Sequence, residues 1–148
     1  GSDIHASIGY NFKFTELQAV IGIEQMKKLH SRVERKKEIY LRYQAGLLGL
    51  EQVRLFKNDI ATTAPWFMDT LVERREALMS YLKLKGIGTR VMYPPINRQK
   101  AYDLNGSHPI SNNVGKFGLW LPSMVQLTDD QIDYVCREIH LFYNSPPQ

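Results

Sequence analysis

The sequence has little of what marks several large classes of protein. Its 148 residues contain a single cysteine, Cys136, which excludes an internal disulfide and is typical of a reducing compartment. No apolar run approaches the roughly 20 residues that span a bilayer, and no signal-peptide pattern opens the chain. We therefore expect a cytoplasmic protein that has no membrane partner.

Complete catalytic sets are missing as well. The four histidines lack metal-ligand spacing, one cysteine cannot build a zinc site, and there is neither a nucleophile elbow nor a glycine-rich phosphate loop. Cys136 falls on the apolar face of a predicted helix, which favours an inert, buried thiol over a nucleophile. Two carboxylate pairs stand at predicted helix starts, where they suit the positive end of the helix dipole better than acid–base chemistry. These pairs are Glu73 with Glu76 and Asp129 with Asp130. We expect no metal and no catalytic residue in this chain alone.

The composition that is present is that of an ordinary globular domain, with 43% hydrophobic and 23% charged residues. The net charge of +4 and the pI near 9.2 suit an anionic partner. The densest basic run, RVERKK at 32–37, contains an acid and lies on a predicted amphipathic helix, so a solvated face explains it better. No nucleic-acid motif accompanies it, and no nucleic-acid partner is expected. The opening Gly-Ser resembles a scar of tag removal, so residues 1–2 are set aside.

Capping-box spacing, a hydroxyl residue followed three positions later by Glu or Gln, predicts the starts of three helices. The pairs are Thr15 with Gln18, Ser31 with Glu34, and Thr128 with Gln131. The first helix is apolar on more than one side, which indicates either two packing partners or a helix buried in the core. The second runs to about residue 48 and ends at Gly46 or Gly49. The third is the clearest amphipathic helix, and its inward residues are Ile132, Val135, Cys136, Ile139, Phe142 and Tyr143.

Strand signals are weaker and lie between the helices. Alternation over 64–72 predicts a strand with Trp66, Met68, Thr70 and Val72 on one face. The remaining segments are a loop at 51–63, a helix at 73–85 that ends at Gly86, a short strand at 88–93 stopped by Pro94-Pro95, and a short helix capped by Ser111. Strands and helices mix without strict alternation. We therefore predict an α+β fold, a small and mostly antiparallel sheet covered by helices.

Three motifs occur in the order found in a known family. Residues 9–29, GYNFKFTELQAVIGIEQMKKL, resemble the GYN-F/Y-R-x-T/S-x-x-QAA-x-G-x-x-QL segment of the DegT/DnrJ/EryC1/StrS aminotransferases, which are sugar-modifying enzymes that use pyridoxal 5′-phosphate (PLP). Residues 64–102 are similar to the family's small-domain strand, helix and Y-x-P-x-H-x-x-P-Y region. Residues 119–139, LWLPSMVQLTDDQIDYVCREI, are similar to its LP-x-x-x-x-LT-x-x-x-x-x-V element. The resemblance covers nearly the whole chain, from about residue 8 to 142.

The resemblance implies the C-terminal portion of a fold-type I PLP enzyme. On this interpretation residues 3–50 are helices that link the domains and line the subunit interface, and residues 51–148 are the small domain. The large domain, which in the family carries the Schiff-base lysine and the carboxylate partner of the pyridine nitrogen, is absent, because no lysine here lies in a matching motif. The chain alone should then neither transaminate nor retain PLP. Removing the large domain should expose apolar residues of the first helix and promote association.

The resemblance also implies residues that contact the cofactor. In the family the asparagine of GYN reaches into the neighbouring subunit's active site and hydrogen-bonds the PLP phosphate, and this role carries over to Asn11. Its amide can donate to a phosphate oxygen without adding charge. Tyr10 and Lys13 flank it as further cofactor-side residues. A homodimer is therefore expected. The bland alternative for Asn11 is a turn residue that satisfies only local backbone groups.

Substrate-side candidates come from the second motif. They are Arg90, Tyr93 and Asn97. Purely structural roles explain the first two equally well, Arg90 as a salt-bridged surface residue and Tyr93 as a core residue. The chain departs from the family at Lys13, where arginine is usual, so bidentate geometry is lost. It also has Met92 and Asn97 where histidines are common, which leaves the sugar open.

Three functions stay open at this point. The first is amino transfer from an amino acid, with glutamate expected, to a keto-sugar that is nucleotide-linked. The second is dehydration, which some family members catalyse after the Schiff-base lysine is replaced. The third is a free-standing dimerisation or ligand-binding module, which draws on the positive charge and the missing active site. A natural reading frame that starts near residue 4 would favour the module, and a longer frame with a lysine-bearing domain would exclude it.

Overall fold

The computed structural model describes residues 7, 10, 12–102 and 106–145. The helices in this part of the chain are α1 (Glu16–Met26), α2 (Leu29–Gly46), α3 (Arg75–Leu84), α4 (Pro109–Phe117) and α5 (Asp129–Asn144), with a 3-10 turn at Ile96–Arg98. The strands are β1 (Val53–Leu55), β2 (Met68–Val72), β3 (Arg90–Val91) and β4 (Gly118–Leu121). None of the helices described is long and apolar enough to cross a membrane.

The chain divides into two compact units, residues 1–32 and 33–148. The first unit contains α1 and the first residues of α2. Thr15 caps α1 as predicted: its hydroxyl accepts from the Gln18 amide, and the Gln18 side chain accepts from the Thr15 amide. No residue of α1 is buried. The large apolar side chains of this helix, all more than half exposed, are Leu17, Val20, Ile21, Ile23 and Met26.

The second unit is built on a four-stranded sheet in the order β1-β2-β4-β3. Each neighbouring pair of strands is antiparallel. Residues that face each other across a ladder point to the same side of the sheet. One such row joins Arg90, Trp120 and Asp69, which come from three different strands. The inward row beside it joins Val91, Leu119 and Thr70. The α+β prediction with a small antiparallel sheet is confirmed.

One face of this sheet forms the core with α2, α3 and α5. The buried strand residues that join it are Val53, Met68, Val72, Leu119 and Leu121, and the helical ones are Ile39, Tyr40, Tyr43, Leu78, Leu82, Ile132, Val135, Cys136 and Ile139. The predicted inward residues of α5 are therefore confirmed for its first three turns, and Phe142 and Tyr143 pack at the core edge. Thr128 caps this helix with Gln131, as predicted. Burial raises the pKa of the Cys136 thiol to about 12, which agrees with an inert thiol.

Four local predictions were wrong. Ser31 does not cap α2, because it lies inside the helix, which begins at Leu29, and its hydroxyl donates backward to the Lys28 carbonyl. Ser111 does not cap α4, which begins at Pro109. The segment expected as a loop holds β1, which is short and owes its place to pairing with β2. Trp66 precedes β2 and is 78% exposed, so it does not share the inward face with Met68.

Polar contacts fix α2 against α5 within the second unit. Arg42 forms ion pairs with Asp129 and Asp133, and Arg35 pairs with Asp129 and donates to the Leu127 carbonyl. These carboxylates lie in the first turns of α5, where the helix dipole also favours negative charge. The buried Tyr43 hydroxyl donates to a carbonyl beyond β4. These contacts therefore fix the position of α2 relative to α5.

Candidate functional site

The outer face of the sheet carries a row of four aromatic side chains. Trp120 stacks on Phe67 with a centroid distance of 4.2 Å, and the Tyr93 ring meets Trp120 edge-on at 4.9 Å. Trp66 extends the row, with its ring 6.3 Å from that of Phe67. We call these four residues the aromatic band. Its centre is packed, since Trp120 is 6% exposed, whereas both of its ends, Trp66 and Tyr93, are open to solvent. Exposed rings of this kind can stack on the flat faces of ligands.

A guanidinium lies over the band. The Arg90 Cζ is 5.3 Å from the Tyr93 ring centroid and 5.5 Å from that of Trp120, which is cation–π range. This position follows from the ladder, because Arg90 is the partner of Trp120 across β3 and β4. Within the described residues no carboxylate forms an ion pair with Arg90. The arrangement can bind an anionic group beside an aromatic surface.

Asp69 sits under the band and fixes its central ring. The Trp120 indole Nε1 donates to the Asp69 carboxylate at 2.6 Å. Burial raises the pKa of the Asp69 carboxyl, and the hydrogen bond from Trp120 opposes this shift because it favours the charged form. Asp69 therefore orients Trp120, and its negative charge lies on the same row of the sheet as Arg90.

The Trp66 end of the band is anchored through the backbone. The Lys36 ammonium donates to the Trp66 carbonyl at 2.7 Å and also to the Ser123 carbonyl. Burial lowers the pKa of Lys36. Both acceptors are neutral carbonyls, so neither of them compensates the positive charge that Lys36 places at this edge of the sheet. The contact ties α2 to the segments before β2 and after β4.

Asn97 lies in a different cluster. Its Nδ2 donates to the Asn112 Oδ1 at 3.1 Å, and the Arg98 Nε donates to the same oxygen at 3.1 Å. The structure thus brings Arg90 and Tyr93 together around Trp120, while the Asn97 side chain is engaged by α4. Pro94 and Pro95 separate the two groups along the chain.

The residues predicted to contact the cofactor fall in the sequence range of the first unit. Tyr10 is 85% exposed and its ring lies 5.7 Å from that of Phe12. Lys13 is also exposed. Asn11 lies outside the described residues. The donors in this segment, a phenol, an amide and an ammonium, have the chemistry that binds a phosphate. Across the described ranges, His, Cys, Asp and Glu side chains do not gather in groups that could hold a metal ion.

Sequence reasoning missed three members of the site. Trp120, Phe67 and Asp69 gain their place from strand pairing, which brings residues some fifty positions apart into contact. The alternation of β2 contained a usable signal, because residues facing away from Met68, Thr70 and Val72 had to line the outer face. The tryptophan in LWL could then have been assigned to that face by period-2 alternation.

The fold, a small antiparallel sheet backed by helices, is that of the C-terminal part of PLP-dependent aminotransferases. The crystal structure of DesV from S. venezuelae matches 99% of this chain with a TM-score of 0.87 and 26% identity, over 41% of its own length. The model of the DegT/DnrJ/EryC1/StrS aminotransferase family matches residues 2–140. This chain belongs to that family, as its motifs indicated.

Two curated relatives show how the similarity is spread. GDP-perosamine synthase from Escherichia coli O157:H7 is 33% identical over 144 residues, which are 95% of this chain and 39% of the relative. A dTDP-4-dehydro-2,6-dideoxy-D-glucose 3-dehydratase from Saccharopolyspora spinosa is 27% identical over 147 residues, 91% of this chain and 32% of the relative. The chain therefore spans about two fifths or less of the length of these relatives.

Proposed function

We propose that this chain is the C-terminal portion of a PLP-dependent sugar aminotransferase that moves an amino group from glutamate to a nucleotide-linked keto-sugar in the cytoplasm. The observation that carries the proposal is the family match over residues 2–140, which includes the strands that bring Arg90, Tyr93 and Trp120 together. Relatives with nucleotide-sugar names, such as GDP-perosamine synthase, support the substrate class. The large PLP-binding domain belongs to the parent protein on this proposal.

Residues of this chain have two roles in the proposed enzyme. Tyr10, Asn11 and Lys13 would hold the cofactor phosphate through a hydroxyl, an amide and an ammonium, which together supply neutral and charged donors. When bound, PLP supplies the chemistry that carries the amino group between the two substrates. Arg90 and Tyr93 would position the sugar substrate, with the guanidinium binding an anionic group and the exposed ring packing on an apolar face.

The decisive test uses the full natural reading frame that encodes residues 3–148. The expressed protein, supplied with glutamate and a GDP- or dTDP-linked keto-sugar, should form an amino-sugar and 2-oxoglutarate, detected by mass spectrometry. Arg90→Gln should raise the KM for the sugar by roughly tenfold while the KM for glutamate stays constant, because a charged hydrogen bond is lost. Arg54→Gln is the matched control, since Arg54 is an exposed arginine at the far strand of the same sheet.

Loss of water without amine gain would instead identify a dehydratase, the second candidate that the Saccharopolyspora spinosa relative supports. A frame that begins near residue 4 would contradict both.

We also propose that the parent enzyme is a homodimer in which Asn11 reaches the partner's cofactor. The exposed apolar side chains of α1 support a partner for this helix. Mixed dimers separate action in trans from action within one subunit. Pairing an Asn11→Ala subunit with one that lacks the cofactor-binding lysine should leave one intact site, whereas placing both changes on the same chain beside a wild-type subunit should spoil both sites. Equal activity in the two mixtures would contradict the proposal.

A further inference from the structure

A concave region beside the Pro94-Pro95 segment has none of the aromatic-band residues in its lining. It is a cleft of about 580 Å³ between this segment and α4, within the size range of small-molecule sites. Its walls include Val91, Met92, Pro109 and Phe117 as apolar surface, together with three cationic and two amide side chains. We call it the basic cleft.

The charged residues of the basic cleft have one sign. Arg75, Arg98 and Lys116 line it, and none of its lining residues is acidic. Arg75 shares its charge with Glu76, at 2.8 Å. In the part of the chain that the structure describes, no ion pair engages Arg98 or Lys116. A cleft lined by cations without acids concentrates anions.

The polar groups of the cleft are adjacent and oriented. Asn112 and Lys116 stand one turn apart on α4, so their side chains share a face. The Asn112 carbonyl oxygen accepts from the Arg98 Nε, which directs the Nη donors of Arg98 away from that bond. Asn97 donates to the same oxygen and fixes which way the Asn112 amide points. An arginine fork, an amide and an ammonium thus line the same cleft, with the Lys116 Nζ 5.0 Å from the Phe117 ring centroid.

The walls of the cleft are joined by a close contact and by hydrogen bonds. A Cβ added at Gly115 would come within 2.5 Å of the Pro95 ring, so α4 and the proline segment are in close contact. The Arg75 guanidinium donates to the Gly115 carbonyl at 2.8 Å and to the Gly118 carbonyl at 3.3 Å, which ties the end of α4 to β4. We expect these contacts to limit the reorganisation that binding requires.

We propose that the basic cleft binds a phosphorylated small molecule, with Arg98 and Lys116 holding the phosphate oxygens and Asn112 donating as a neutral group. A guanidinium fork and a lysine ammonium are the side chains best suited to phosphate, and the volume admits a ligand larger than one ion. The proposal concerns this chain as it stands and does not rest on the proposed function, because it requires neither PLP nor the large domain.

The test is a titration of the ¹⁵N-labelled chain with inorganic pyrophosphate, against sodium chloride of equal ionic strength. We expect saturable shifts of the amide signals of residues 112–117. Arg98→Gln and Lys116→Gln should each weaken binding by roughly tenfold or more, as expected when a charged hydrogen bond is lost. Lys57→Gln removes the same charge at an exposed position outside the cleft and should change the affinity by less than about twofold.

Three results would overturn the proposal. They are the absence of saturable shifts, equal weakening by Lys57→Gln, and shifts that centre on Arg90 rather than on α4. If Arg98→Gln disturbs the spectrum as a whole, Lys116→Gln decides, because the Lys116 side chain is exposed at the rim and its substitution removes no hydrogen bond among the described residues. An unchanged affinity in Lys116→Gln would then contradict the assignment.

Discussion

The hydrogen bond between Trp120 and Asp69 makes a sharp prediction about the aromatic band. The two residues face each other across β2 and β4, and the indole Nε1 donates to the carboxylate at 2.6 Å. Asp69→Leu keeps a side chain of similar size but leaves the N–H of a residue that is 6% exposed without its acceptor. The free energy of unfolding should fall by about 1–3 kcal/mol, the cost of an unsatisfied buried donor. Asp69→Asn keeps an acceptor oxygen and removes a half-buried charge, so it should stay within about 1 kcal/mol of wild type at pH 7.

Wild type and Asp69→Asn should also differ in the way their stability responds to pH. Burial raises the pKa of the Asp69 carboxyl, so the folded chain holds this proton more tightly than the unfolded chain does. The wild type must then lose stability as the pH rises from about 3.8 through the raised pKa. Asp69→Asn has no such carboxyl, and its stability relative to wild type should increase across the same window. Urea unfolding followed by far-ultraviolet circular dichroism at several pH values measures both effects. The role assigned to Asp69 would be contradicted if Asp69→Asn cost as much stability as Asp69→Leu, or if the difference between Asp69→Asn and wild type were independent of pH.

The remaining predictions concern the frame that holds the site. Gly46→Ala would place its Cβ 2.7 Å from the Cys136 sulfur and should cost about 1–3 kcal/mol of unfolding free energy, most of it recovered by adding Cys136→Ala. A urea double-mutant cycle measures this coupling, and additive costs would contradict it. Thr128→Ala removes the cap of α5 and should cost about 1 kcal/mol in thermal unfolding, whereas a change near zero would mean that water replaces the cap. The pKa of Glu138 is lowered, chiefly by the hydrogen bond from Tyr81, so this carboxylate should contribute stability that is lost as the pH falls below about 4.5. Glu138→Gln should remove this contribution to the pH dependence of unfolding. An unchanged pH profile in the variant would refute the role assigned to Glu138.

The fold was predictable where the signal is local. Thr15 and Thr128 correctly predict helix starts, because each cap and its partner lie three residues apart in the sequence. Ser31 has the same spacing and failed, because a serine inside a helix can bond backward to a carbonyl, and spacing does not distinguish the two cases. The strand β1 was not predicted for a different reason. Its three residues are held by pairing with β2, as Val53 pairs with Val72, and a short window of sequence around β1 does not identify that partner.

The candidate site was predictable as a set of residues and less so as an arrangement. Arg90 and Tyr93 were named from the family motif, and the structure adds that they meet on Trp120. That meeting depends on the pairing of β3 with β4, which joins segments about thirty residues apart. Nothing near residue 90 in the sequence indicates a tryptophan partner. The cofactor-side role of Asn11 stays a prediction, because this residue lies outside the described part of the chain.

The segment from Arg90 to Arg98 explains how one short stretch serves two chemically different surfaces. Arg90 is held on the aromatic band by its ladder position beside Trp120. The two prolines then end the ladder, since neither can donate a backbone hydrogen bond. Beyond them a 3-10 turn presents Arg98 to α4 and the basic cleft. Two arginines only eight positions apart therefore contact different neighbours: Arg90 contacts aromatic rings, and Arg98 contacts an amide. Substitutions at one should leave ligand binding at the other intact, so the two surfaces can be tested independently in the same chain.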